Sequence, residues 1–181
     1  MIIQKRTAFY LAFLTMLILA ICAGSVVAQD KTILSFSSSV QYGTQKDNIA
    51  ILVSSDFNGD YTMEGIKAAT WKDVTKRTTL ASGKEPEGSG KVNISKEVSN
   101  PKYVAIRYLG EASAKPSQRG WSIIDLKVSN GSSTHEPVWK IVNDPKNNEG
   151  AGWIVGSNKI NFRSNQSLIK NESWAITPIS K

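Results

Sequence analysis

Beyond an apolar N-terminal run, apolar and polar residues alternate with a period of two in short stretches, separated by turn-rich segments. This is the spacing of half-buried strands, and it predicts strands over 32–38, 48–54, 69–75, 90–95, 102–109, 120–128, 138–142, 158–162 and 174–179. In the second, Ile49, Ile51 and Val53 share one face and Ala50 and Leu52 the other, as in a strand with neighbours on both sides. In 102–109, Val104, Ile106 and Tyr108 separate from Tyr103, Ala105 and Arg107, so the first set is the expected core face. The alternation slips by one at Ile123-Ile124, which predicts a β-bulge. No amphipathic helix is expected after the N-terminus. Polar loops are expected at 54–66, 83–90, 110–119, 129–137, 143–152 and 163–173. The fold class is therefore all-β, a jelly-roll-like antiparallel β-sandwich.

The N-terminus reads differently. Lys5 and Arg6 precede an apolar run from Leu11 to Cys22, followed by Ala23-Gly24-Ser25-Val26-Val27-Ala28. That order of charged, apolar and small residues is a secretory signal over 1–28, which leaves 29–181 as one β-sandwich domain. The run is shorter than the roughly 20 residues needed to span a bilayer, so no transmembrane segment is expected in the mature chain. Ile21 before Cys22 disfavours lipid anchoring, and the expected location is exported: periplasm, cell surface or medium.

Composition narrows the chemistry. The chain has 181 residues and a formal charge of +7, with basic residues spread along it and no basic block, so no nucleic-acid footprint is expected. Cys22 is the single cysteine and His135 the single histidine, which excludes thiolate and histidine-cluster metal sites from the mature chain. His135 in SNGSSTHEP is expected to be a solvated loop residue. No strained nucleophile turn, phosphate loop or dinucleotide fingerprint occurs, so no cofactor and no enzymatic activity are expected. Asp56-Phe57-Asn58-Gly59-Asp60 sets oxygen side chains at alternate positions, but Gly59 comes too early for a calcium loop and Lys67 stands where its glutamate should be. Turn chemistry is the better account, and no metal is expected. Asp73, on one strand face with Trp71, is a candidate buried carboxylate.

Trp71, Trp121, Trp139 and Trp174 lie on or at the start of predicted strands and belong to the interior. Trp153 in the string NEGAGW, and Tyr42 and Tyr61 in flanking loops, are the aromatics expected to be exposed. They are the candidate ligand-binding residues, since aromatic rings stack on the C–H faces of sugars.

The strings ILSF, QYGTQKDNIAILVSSDFNGD, ATWKDVTKRTTLASG, SGKVNIS, PKYVAIRYLG and QRGWSIIDLKV, with the terminal ESWAITPI, together resemble a Bacteroidetes family of exported proteins. It is known as domain of unknown function five thousand and seventeen and is similar to the choice-of-anchor J modules. The resemblance covers about residues 32–179. It implies a galactose-binding-like jelly roll on an envelope or surface protein, often beside glycan-acquisition systems, and implies no site residues. The expected function is a non-catalytic exported binding module of the bacterial cell envelope, with glycan as its partner. The alternative is a structural or adhesion module that binds an envelope protein.

Overall fold

The computed structural model describes residues 31–164 and 167–179. Two antiparallel sheets face each other as a sandwich that does not close into a barrel. The first sheet has the order β10 (Gly152–Val155), β11 (Lys159–Arg163), β7 (Trp121–Asn130), β1 (Thr32–Val40), β4 (Glu87–Gly88). Two short strands extend it: β5 (Val92–Asn93) beside β1, and β8 (Ser133–His135) beside β7. The second sheet has the order β3 (Lys72–Asp73), β2 (Ile49–Ser54), β6 (Tyr103–Gly110), β12 (Asn171–Pro178), β9 (Lys140–Asn143).

The facing residues are those the alternation marks. Val104, Ile106 and Tyr108 of β6 and Ile51 and Val53 of β2 are fully buried, opposite Leu34, Ile123 and Ile160 of the first sheet. The second sheet is also covered on its outer side. There Leu52, Ala105, Trp174 and Ile176 are buried with Phe57, Met63 and Ile66 in a separate apolar cluster. Met63 and Ile66 come from a short helix, α1 (Met63–Ala68), which the sequence expectation placed in a loop. Its six residues are too few to show a helical period. It is held by the Thr62 hydroxyl, which accepts from the Gly65 N–H at 3.0 Å, and by burial of one face.

The other differences are also short elements. Residues 69–75 supply only the two-residue β3, and Asp73 is exposed, accepting from the Thr75 N–H instead of being buried. The expected loop at 129–137 contains β8, reached by a tight turn in which Asn130 pairs with Ser133 and Gly131 takes φ of 57°. The two turn residues are Gly131 and Ser132, with glycine at the first position, where a positive φ is needed. His135 accordingly lies on a strand, not in a loop.

The bulge falls one residue beyond Ile123-Ile124. Ser37 pairs with Ile124 but Ser35 with Lys127, so β7 has one extra residue, and Asp125 takes φ of 50°.

A buried polar link at Asn48 joins the sheets through the core. Asn48 donates from Nδ2 to the Tyr108 hydroxyl at 3.0 Å and accepts from the Trp121 Nε1–H at 2.9 Å. Tyr108 belongs to β6 and Trp121 to β7, so one buried side chain ties the two layers. The Tyr108 ring stacks on Phe162 of β11, with centroids 3.4 Å apart and planes 11° from parallel. Burial pushes the Tyr108 phenol well above its ordinary range, so it stays neutral and can keep both roles.

Asn48→Ala leaves the buried Trp121 indole N–H without its partner, removes one of the bonds at the Tyr108 hydroxyl, and is expected to lower folding stability by roughly 1–3 kcal/mol. Equilibrium denaturation checks this: the midpoint should fall without a change of slope.

Candidate functional site

The three aromatics singled out by sequence lie in three different places. Trp153 is 5% exposed and sits on β10, where it meets Phe162 edge-on and donates to the Ser173 carbonyl at 3.3 Å. Its expected exposure is thus corrected: Gly152 begins a strand, and Trp153 is its inward residue. Tyr61 is half-buried on the outer side of the second sheet. It packs edge-on against Phe57 at 5.5 Å and shares a hydrogen bond with Tyr103, and burial raises its phenol above the usual range. Phe57, Trp71 and Trp174 continue that cluster, with the Arg107 guanidinium 5.5 Å from the Trp174 ring. Trp121 is buried between the sheets as expected, whereas Trp174 is buried on the outer side of the second sheet and Trp71 and Trp139 are half-buried.

Tyr42 is the exposed one, at 55%. Its position follows from the backbone around it. Beyond β1 the chain continues alongside the segment entering β7: Gln41 N–H donates to the Gly120 carbonyl, Gly120 N–H to the Tyr42 carbonyl, and Thr44 N–H to the Ser117 carbonyl. Two glycines permit this closeness. Gly43 has φ of 83°, and a Cβ there would lie 2.1 Å from the Gln118 carbonyl oxygen. A Cβ on Gly120 would lie 3.0 Å from two carbons of the Tyr42 ring, so the ring is seated on the Gly120 backbone.

Beside Tyr42 lies a cleft of about 340 Å³ on the outer face of the first sheet. Alternation on β11 builds its wall: Ile160 and Phe162 are buried, while Lys159 and Arg163 are exposed and Asn161 is half-buried. Ser122 of β7 donates to Asn161 Oδ1 at 2.7 Å, which fixes the amide and leaves its nitrogen without a partner among the described residues. Ile154 completes the rim, and Trp121 and Phe162 lie beneath. Two other clefts among the described residues have less aromatic surface to offer. One of about 430 Å³ at Thr134–Val138 and Pro178 carries no tyrosine or tryptophan, and one of about 320 Å³ around Asp125 and Val138 has only the half-buried Trp139.

The Asp56–Asp60 stretch is organised as a turn. Asp56 Oδ1 accepts from the Ser54 hydroxyl at 2.8 Å and the Thr70 N–H at 2.9 Å, and Asn58 Oδ1 accepts from the Asp60 N–H. Among the described residues no three His, Cys, Asp or Glu side chains are grouped to hold a metal ion.

The family model for Domain of unknown function (DUF5017) matches residues 23–145. The chain belongs to the DUF5017 family. The matched span runs from before β1 to just beyond β9 and stops short of the 179 expected from resemblance. It includes Tyr42, Gly120 and Trp121 but not Lys159, Asn161 or Arg163, so one half of the cleft comes from the matched region and the other from β11. No curated protein and no solved structure matches this DUF5017 chain. Among the described residues no helix is long and apolar enough to cross a membrane. The expected signal over 1–28, with Cys22, lies outside the described residues.

Strand alternation at Lys159-Ile160-Asn161-Phe162-Arg163 was the signal that could have located the cleft from sequence, because it separates a basic, polar face from an apolar one.

Hydrogen bonds from Ser54 and Thr70 lower the Asp56 carboxyl below 3.8, so its charged form is favoured in the folded state. Its contribution to stability is then fully present above pH 3.8 and is lost as pH falls through the lower, folded value. Asp56→Asn should melt below the parent at neutral pH, and the gap should close on acidification below that range, as followed by thermal melts across pH.

Proposed function

We propose that this DUF5017 protein is an exported, non-catalytic module of the bacterial cell envelope that binds glycan at the Tyr42 cleft. The observation that carries the reading is an aromatic ring 55% exposed, fixed against the Gly120 backbone, beside a wall of hydrogen-bonding side chains. A sugar ring offers apolar C–H faces and equatorial hydroxyls, and such a site meets both: the Tyr42 ring for the face, Asn161, Ser122 and Gln41 for the hydroxyls. Seating on Gly120 reduces the freedom the ring loses on binding. The charged and apolar start of the chain supports export. The position of Trp153 in the core and of Tyr61 in the outer aromatic cluster leaves Tyr42 as the residue through which the module would act.

A second reading has one observation in its favour. Ile154 and Val155 are 44% and 50% exposed on β10, the edge strand of the first sheet, and carry no charge that would discourage strand pairing. That edge suits an envelope protein that adds a strand.

A glycan array with purified protein distinguishes the two. Tyr42→Ala should weaken binding to the recognised glycan at least about tenfold while leaving the melting temperature near that of the parent. A blank array, with a specific envelope protein captured through Ile154 and Val155, would favour the second reading.

A further inference from the structure

We infer that the Tyr42 cleft selects an anionic saccharide, one carrying carboxylate or sulfate groups. The inference rests on the glycan reading above and adds the charge of the ligand.

Two cations stand in the cleft with no compensating acid. Lys159 and Arg163 are both exposed on the outward face of β11, and neither forms an ion pair among the described residues. None of the residues lining the cleft is Asp or Glu. Lys159 also borders the neighbouring cleft that holds Asp125, but the Asp125 carboxylate accepts from Asn158 Nδ2 instead. Arg107 on the second sheet is differently placed, since it is paired with Glu172 and lies against Trp174.

Geometry adds a length. Four residue steps of extended strand lead from Lys159 to Arg163, about 13 Å at the usual rise. Tyr42, Asn161 and the two cations thus span more than one sugar, and they match a chain with acidic groups at intervals. Arg163 presents a planar fork suited to a carboxylate or sulfate, and Lys159 a point charge. Binding would displace few fixed partners, because among the described residues neither cation is held in an ion pair.

The test is a titration of purified protein, followed by tryptophan fluorescence, since Trp121 lies beneath the cleft. The probes are polygalacturonate (carboxylate), chondroitin sulfate (carboxylate and sulfate), neutral dextran, and single-stranded DNA as a polyanion without a saccharide face. The variants are the parent, Tyr42→Ala and the double variant Lys159→Gln/Arg163→Gln, each first checked for an unchanged melt.

At least one acidic polysaccharide should bind in preference to dextran. The double variant should bind it more weakly by about two- to fivefold for each cation removed. Raising salt from about 0.05 to 0.5 M should have a similar effect. Which acidic probe binds more tightly tells carboxylate from sulfate.

Equal binding of dextran, unaffected by the double variant but lost in Tyr42→Ala, would overturn the anionic inference and leave the glycan reading standing. DNA binding as tight as that of the acidic polysaccharide, dependent on the cations and not on Tyr42, would overturn the inference by reducing the site to a charge patch. No saccharide binding at any probe would remove the glycan reading and this inference with it.

Discussion

The side chain of Asn48 is a buried polar tie between the two layers of this sandwich, and the bond from the Trp153 indole to the Ser173 carbonyl is a second. Packing between sheets is non-directional, and apolar faces alone would tolerate sliding by a residue pair. A buried amide that must satisfy both the Tyr108 hydroxyl and the Trp121 indole does not. Leaving either group unpaired costs more than a typical hydrogen bond yields, so the link acts mainly by penalising other arrangements. The stack of Tyr108 on Phe162 extends the same constraint to β11.

This constraint reaches the surface. Trp121 is one residue from Gly120, on which the Tyr42 ring rests, and Phe162 lies between Asn161 and Arg163. Fixing Trp121 and Phe162 in the core therefore fixes the two sides of the cleft, one from the segment entering β7 and one from β11. The proposed site is a consequence of core alignment: Lys159, Asn161 and Arg163 stand on β11, and Tyr42 follows β1 on a segment hydrogen-bonded to the one entering β7. Rigid presentation is what a shallow site needs, because it has little buried area with which to offset the ordering of its own side chains.

Much of the fold was legible in the sequence because burial in a sandwich imposes period two. Strands β1, β2, β6, β7 and β11 lie close to their expected ranges, and the core faces of β2 and β6 are those the pattern marks. What escaped was short. A helix of six residues and strands of two or three carry too little sequence to show any period, and β10 hid behind Gly150-Ala151-Gly152, which reads as a turn. That last error placed Trp153 at the surface when its ring is in the core. Tyr42 was read correctly as exposed, but its cleft is assembled from residues about 120 positions apart in sequence, and no local pattern reports such a meeting.

The central claim is that ligand binds on the outer face of the first sheet, beside Tyr42. Mapping backbone amide shifts by NMR while an acidic oligosaccharide is added tests it most directly. The account predicts that the largest changes cluster at Gln41–Gly43, Gly120–Ser122 and Lys159–Arg163, with the amides around Tyr61 and Trp71 unmoved. Changes centred on Phe57, Tyr61 and Trp71 would place the ligand on the opposite sheet and contradict it.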